Sequence, residues 1–228
     1  MMSKVSMVPT AMLDQALERT VGVLEDPRTT EKVSSYYAVD SNYAGALFLG
    51  IPDPDPTMVS VADLFAVSTL SISIPARAAR RLLLEPRGAN DVNEALRALP
   101  DKTLVETDDS DLEKMAKFYT AVKVALTRAG ASRTSGAWVT ASKIVARKRP
   151  RLFPVRDAQV TALLGTRERA DYFTDWIVYR HLMRDKAVAS NLRRLREALE
   201  GLATSGEHLT ESEPLRLLDV ALWTHMKK

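Results

Sequence analysis

The chain has 228 residues, 46% of them hydrophobic and 27% charged, which is typical of a folded globular protein with enough material for a sizeable core. It contains no cysteine, and this excludes disulfides, thiolate metal sites and cysteine nucleophiles. The net charge is only +3, so a site for a polyanion must come from local clustering of cations rather than from the charge of the whole protein.

The first hundred residues predict short helices separated by turns. Ser60 and Asp63 have the spacing of a capping box, in which a serine and an acid three residues later satisfy the first backbone N–H groups of a helix. Each proline in 52–56 (PDPDP) constrains the residue before it towards extended geometry, so we expect an exposed loop there. Apolar periodicity and helix punctuation predict helices at 10–25, 29–39, 61–70 and 75–84.

Other signals in this half concern turns. Residues 71–74 (SISI) alternate polar and apolar side chains and are a candidate short strand. The sequence PRG at 86–88 is expected to break a helix, with Asn90 or Asp91 capping the next one. The polar and acidic run 101–109 is the candidate hinge of the chain.

The second half opens with the clearest helix. It follows a capping box at 110–113 (SDLE) and is expected to end at Gly130. Its apolar residues recur in steps of three and four and form one stripe: Leu112, Met115, Tyr119, Val122 and Leu126.

Further helices are predicted on both sides of the link 149–156, at 168–183, at 186–202 and from residue 210 to the C-terminal end. About ten helices with no confident strand pair indicate an all-α fold, a compact helical bundle. The bundle is either a single domain over 1–228 or two lobes, 1–104 and 105–228.

Six cations with no intervening acid lie within fourteen residues, and we call this stretch the basic corner: Lys143, Arg147, Lys148, Arg149, Arg151 and Arg156. Cations at the C-terminal end of a helix are favoured by its dipole, but this explains one or two of them and not six. Three interpretations stay open: contact with a nucleic acid or another polyanion, ion pairs with the acids of 101–111, or a solvated face. Trp138, five residues before Lys143, either stacks a base or belongs to the core.

Asp157 follows the basic corner and is expected at the start of the next helix. A carboxylate there caps the helix, or it acts in chemistry by stabilising positive charge or orienting a water molecule. The three histidines have no i, i+4 partner, and the sequence contains no phosphate-binding loop, GxGxxG or GxSxG motif, so we predict no metal site and no cofactor.

Two resemblances involve these residues. The runs ASKI (141–144) and KRPRLFPVRD (148–157), with DLFAV (63–67) and LSISIP (70–75), resemble an actinobacterial family of unknown function over most of the chain. That likeness implies a helical fold and no known activity. The stretch SGAWVT (135–140) with Asp157 is more distantly similar to the helix-hairpin-helix DNA glycosylases.

The glycosylase resemblance implies a phosphate-binding hairpin at 135–140 and a catalytic role for Asp157. The GxG pattern of that hairpin is absent here. Lys143 lies 14 residues before Asp157, closer than the catalytic lysine of the bifunctional members, so it takes no catalytic role from the resemblance.

Three functions therefore stand as hypotheses. The first is a nucleic-acid-binding protein, with DNA as the expected partner, that uses the basic corner and Trp138. The second is a glycosylase-like enzyme that uses Asp157, which a base-sized pocket beside that residue would favour. The third is a protein-interaction module whose helix at 186–202 binds a partner, which an exposed apolar stripe on its Leu192–Leu199 face would favour.

The longest uncharged run, about 41–52, is too short to cross a bilayer, and no signal peptide is recognised. We therefore expect a cytoplasmic protein with no membrane partner.

Overall fold

The computed structural model describes residues 8–127, 137–169, 171–203 and 211–227, and within them the chain is all-α, with no strand. The helices are α1 (Thr10–Glu25), α2 (Thr29–Tyr37), α3 (Gly45–Gly50), α4 (Val61–Thr69), α5 (Ala76–Leu83), α6 (Pro86–Arg97), α7 (Asp109–Leu126), α8 (Ala137–Lys148), α9 (Ala158–Leu163), α10 (Tyr172–Arg184), α11 (Lys186–Ala203) and α12 (Pro214–His225). Two short 3-10 helices, Leu104–Glu106 and Arg167–Arg169, lie between them.

Local capping chemistry explains several helix starts. Ser60 and Asp63 form the predicted capping box at the start of α4, with the Asp63 backbone N–H donating to the Ser60 hydroxyl. Asp157 is the N-cap of α9, where its Oδ1 accepts a hydrogen bond from the Gln159 backbone N–H at 2.8 Å. The prediction of a helix start at Asp157 is confirmed.

Some boundaries differ from the predictions. Asp108, not Ser110, caps α7, because its carboxylate accepts the Asp111 N–H at 2.9 Å. Helix α6 begins at Pro86 rather than near Asn90, since proline at the first helical position lacks only an N–H that has no partner there. Gly88 lies inside this helix, and glycine is needed there because a Cβ would lie 2.6 Å from the Arg81 carbonyl oxygen of α5.

Two further predictions fail or lie outside the described residues. Residues 71–74 are not a strand, and Ser71 instead adopts a positive φ of 60°. Helix α3 was not predicted. Gly130, the first two residues of the predicted hairpin 135–140 and the polar run 204–208 lie outside the described residues, and 137–140 form the first turn of α8.

The core surrounds α7, which contacts α5, α6 and α8. The side chains of Leu112, Met115, Tyr119 and Val122 are at most 1% exposed, and Leu126 packs against the core while partly buried. The period of the stripe therefore identified the buried face.

Helix α11 also turns its apolar face inward. Leu192, Leu195 and Leu199 are buried, and the helix packs against α1, α2, α10 and α12. The exposed Leu192–Leu199 stripe that would have favoured the protein-interaction hypothesis is therefore not found on this helix. Among the described residues, none of the helices combines the length and the apolar run that a bilayer-spanning segment needs.

An extended segment between α8 and α9 positions the candidate site. Two side chains hold its backbone: Asp219 of α12 accepts the Val155 N–H at 2.8 Å, and the Ser142 hydroxyl of α8 accepts the Arg156 N–H at 2.6 Å. Because side chains alternate along extended backbone, Val155 and Asp157 face one cavity while Arg156 faces another.

Candidate ligand-binding cavity and the basic corner

Lys148 is the most deeply buried cation of the basic corner. Its side chain has no solvent exposure, and Nζ lies 2.6 Å from Asp53 Oδ1, 2.7 Å from the Asp55 carbonyl oxygen and 3.1 Å from Asp63 Oδ2. A buried charge requires such partners, because leaving water costs it several kcal/mol. Lys148 therefore anchors the 53–63 loop to the end of α8 and has no solvent-facing surface for a phosphate.

Arg147 and Arg149 extend this anchor. Arg147 donates to the carbonyl oxygens of Phe48, at 3.1 Å, and Ile51, and its guanidinium lies 5.3 Å from the centre of the Phe48 ring. Arg149 donates to the carbonyl oxygen of Pro56 at 2.8 Å.

Arg151 is the exposed cation of the corner. It makes a 3.7 Å ion pair with Asp101, and its side chain is 47% exposed. It is the member of the corner that pairs with the predicted acidic run 101–111, in a surface contact of the kind that contributes about 0–1 kcal/mol.

Arg156 is buried in a separate polar cluster. Its guanidinium donates to Asp175 Oδ2 at 2.5 Å and to the Tyr119 hydroxyl at 3.0 Å, and it lies 5.1 Å from the centre of the Trp138 ring. Burial raises the pKa of the Asp175 carboxyl, although the neighbouring Arg156 opposes that shift. Trp138 is half-buried, and its indole covers a protein cation.

The corner thus separates into buried anchors and accessible cations. Lys148 cannot reach a polyanion in this structure and Arg156 faces only the cavity that it lines, whereas Arg151 and the partly exposed Arg149 face solvent. Trp138 and Arg156 line a cavity of about 430 Å³ together with Tyr119 and Tyr172.

Lys143 and Asp157 line a different cavity, of about 400 Å³, to which α2, α8 and α12 contribute. One part of its wall is aromatic: the rings of Tyr36, Tyr43 and Trp223 lie 5.7–5.9 Å apart, centre to centre. Tyr43 is 36% exposed and Trp223 is half-buried, with Lys227 Nζ 4.3 Å from the centre of the Trp223 ring.

The polar part of the wall contains two predicted site residues. Lys143 Nζ donates to the Leu70 carbonyl oxygen at 3.0 Å; burial lowers its pKa, and the Asp157 carboxylate partly opposes this. Ser71, whose positive φ is uncommon for an L-residue, also lines the cavity, as strained residues at binding sites often do.

Two further polar residues of the cavity are on α12. Arg216 and Asp219 are 4% and 5% exposed, and their closest approach is 3.8 Å, from Nη1 to Oδ2. Burial raises the pKa of Asp219 to about 7. The sequence analysis missed this pair, although two charged residues within the apolar run LRLLDVAL (215–222) were a signal for it.

The structure therefore brings Asp157 and Lys143 together and sets Trp138 and Arg156 apart from them. Within the described ranges, no cluster of three His, Asp or Glu residues could hold a metal ion.

Comparison with known proteins places the chain in a family. No curated protein and no solved structure matches it. A family model does match residues 29–226, which include every α-helix of the described residues except α1 and every residue of the cavity except Lys227. On that match the chain belongs to a family of unknown function, DUF6308.

Proposed function

We propose that this protein binds a nucleobase, presented by a nucleic acid, in the cavity between α2 and α12. The observation that carries the proposal is the aromatic wall formed by Tyr36, Tyr43 and Trp223 in the same cavity as Lys143 and Asp157. Stacking of a base on an aromatic side chain contributes about 1–3 kcal/mol. A volume of about 400 Å³ lies within the usual size of small-molecule sites.

Phosphate contacts are assigned to the accessible cations. Lys227 lies 4.3 Å from the centre of the Trp223 ring and lines the cavity, so it is placed to meet a phosphate attached to a stacked base. Outside the cavity, Arg151 is the exposed cation of the basic corner and Arg149 is partly exposed; Lys143, also partly exposed, lines the cavity itself. We therefore assign the contacts of the corner with a polyanion to Arg149 and Arg151, whereas Lys148 and Arg156 stabilise the fold.

Asp157 favours a second candidate function, hydrolysis of the N-glycosidic bond of the bound nucleotide. In that reaction the C1′–N bond breaks, its electron pair goes to the base nitrogen, and that nitrogen takes up a proton. Water adds to C1′ and releases one proton, so the atoms and charges balance. The Asp157 carboxylate would stabilise the positive charge on the sugar or accept that proton. Support comes from its position in the cavity and from the resemblance to helix-hairpin-helix glycosylases.

The binding proposal is tested by fluorescence anisotropy with a labelled single-stranded oligonucleotide. Tyr43→Ala removes an exposed stacking surface, and we expect its Kd to rise by roughly 5- to 100-fold. Phe65→Ala is the matched control, because Phe65 is an aromatic residue, 57% exposed, that does not line the cavity. Equal affinities for the parent and Tyr43→Ala would overturn the proposal.

A salt titration of the same complex tests the phosphate contacts. Each phosphate that a protein cation neutralises releases counterions, so log K falls linearly with log salt, with a slope near −0.7 per contact on a single strand. We expect Arg149→Ala with Arg151→Ala to make this slope shallower. A slope identical to that of the parent would remove these two residues from the site.

A further inference from the structure

Arg216 is a buried cation of the cavity whose guanidinium has no hydrogen-bond acceptor among the described residues. It is 4% exposed, and the guanidinium lies 5.1 Å from the centre of the Phe48 ring and 3.8 Å from Asp219 Oδ2, too far for a hydrogen bond. Buried side chains of this kind are normally hydrogen-bonded, because an unsatisfied charged group costs free energy. Since Arg216 lines the cavity, its N–H groups are within reach of a ligand there.

The buried acids around Arg216 do not supply the missing acceptor. The Asp219 carboxylate accepts the Val155 N–H at 2.8 Å and the Tyr179 hydroxyl, so it is held by two donors of its own. Glu211 acts on Arg216 through space, and its carboxylate accepts a backbone N–H at 3.0 Å. These two acids therefore offset the charge of Arg216 but leave its N–H fork open.

Two more cations of the cavity wall face the same space as Arg216. Lys143 on α8 and Lys227, just after α12, line the cavity with it. Burial lowers the pKa of Lys143, and the charges of Arg216 and Lys227 lower it further, while the Asp157 carboxylate opposes them. Because Asp219 is held by its own donors, the three cations share Asp157 as their open acid, and this part of the wall has a surplus of positive charge.

We infer that Arg216, Lys143 and Lys227 bind a phosphate group, which is attached to the base that stacks on the aromatic wall. The guanidinium presents N–H donors in a fixed fork that matches two phosphate oxygens, and the lysines act as point charges beside it. Lys227 joins the two parts of the site, since its Nζ lies 4.3 Å from the centre of the Trp223 ring. The ligand class is a nucleotide, either free or at the end of a strand. This inference rests on the proposed function, because it names the group that accompanies the bound base.

The test is isothermal titration calorimetry with each of the common ribonucleosides and its 5′-monophosphate. We expect each monophosphate to bind roughly 10- to 100-fold more tightly than its nucleoside, since it offers charged acceptors to the open N–H fork of Arg216. This comparison uses the parent protein alone and so does not depend on the folding of a variant. Equal binding of nucleoside and monophosphate for every base would overturn the inference.

Arg216→Gln tests whether the guanidinium provides the gain. We expect the monophosphates to lose most of their advantage over the nucleosides in this variant, while the affinity for the nucleosides changes little. Arg180→Gln is the matched control, because Arg180 is also 4% exposed but does not line the cavity, and it should retain the advantage. Lys227→Gln, at a partly exposed residue, measures the same loss if Arg216→Gln does not fold. An advantage that persists in full in the folded variants contradicts the assignment of the phosphate to these cations.

Ribose 5-phosphate separates this inference from the proposed function. If it binds as tightly as the monophosphates, the phosphate contacts stand and the base-binding proposal fails. If nucleosides bind and the phosphate adds nothing, the base-binding proposal stands and the phosphate contacts fail; no binding of any of these ligands overturns both. Oligonucleotides with and without a 5′-phosphate identify the source, since a phosphorylated strand that binds more tightly than the monophosphates indicates a strand end and the reverse order a free nucleotide.

Discussion

Replacing Lys148 by methionine should remove a large part of the free energy of unfolding of this protein. The substitution keeps the length of the side chain and removes its charge, so the cost is electrostatic rather than a cavity. It leaves Asp63, whose side chain is 0% exposed, without Lys148 at 3.1 Å, with the hydrogen bonds of its capping box and a longer ion pair, 3.5 Å, from Oδ1 to Arg147 Nε. Asp63 Oδ1 already lacks a hydrogen-bond partner among the described residues.

Breaking a buried ion pair by removing one partner typically costs about 3–5 kcal/mol, and we expect a value in this range from urea denaturation. Arg151→Met is the matched control, because it removes a cation of the same corner whose ion pair is exposed, and it should change stability by less than about 1 kcal/mol. Adding Asp63→Asn to Lys148→Met should recover part of the loss, since it removes a buried charge that Arg147, at 3.5 Å, compensates only in part.

Comparing Lys148→Met with the parent also tests whether Lys148 stabilises the fold or binds nucleic acid. If Lys148→Met stayed within about 1 kcal/mol of the parent but lost affinity for oligonucleotides, the corner would bind nucleic acid and the buried ion pair would not be a stabilising contact. That result would refute the reasoning from burial.

Three other changes test the rest of the structure. Asp157→Asn should change stability little, since asparagine caps a helix about as well as aspartate, and should abolish any excision of bases measured on a panel of damaged duplexes; excision that survives it would place the chemistry elsewhere. The raised pKa of Asp219, from 3.8 to about 7, means that the unfolded chain loses this proton first, so the stability of the parent should fall between about pH 4 and pH 7. Urea denaturation at pH 4.5 and pH 7.5 should show this fall for the parent and not for Asp219→Asn. An equal change in the free energy of unfolding of the two proteins would contradict the raised pKa of Asp219. Leu112→Ala, at 0% exposure, should cost about 2–5 kcal/mol and Leu126→Ala less, and equal losses in melting temperature would contradict the burial order.

Helices and their caps were largely predictable because both depend on neighbours in sequence. Helix α1 and the capping box of Ser60 follow from apolar spacing and from side chains within one turn of the helix start. Helix α3 was missed because its six residues are too short to show a period.

The candidate site was only partly predictable. Asp157 was found because a helix-start aspartate after a Pro-containing link is a local signal. Its neighbours in the cavity come from α2, from the 42–44 turn and from α12, and no local pattern places Tyr36 beside Trp223. Arg216 and Asp219 carried a signal of their own, two charges on an otherwise apolar helix, and the pattern was overlooked.

By itself, the sequence determined the all-α class, the buried face of α7 and the helix start at Asp157, since these depend on periodicity and on contacts within a turn or two. Only the tertiary structure determined which cations of the basic corner are buried and which are exposed. Lys148 meets Asp63 across 85 residues of chain and Arg156 meets Asp175 across 19, so a run that is uniformly basic in sequence is divided in space between the interior and the surface. A charge has the same chemistry in both places, but its environment, and hence its role, depends on which distant acid the packing of helices brings to it.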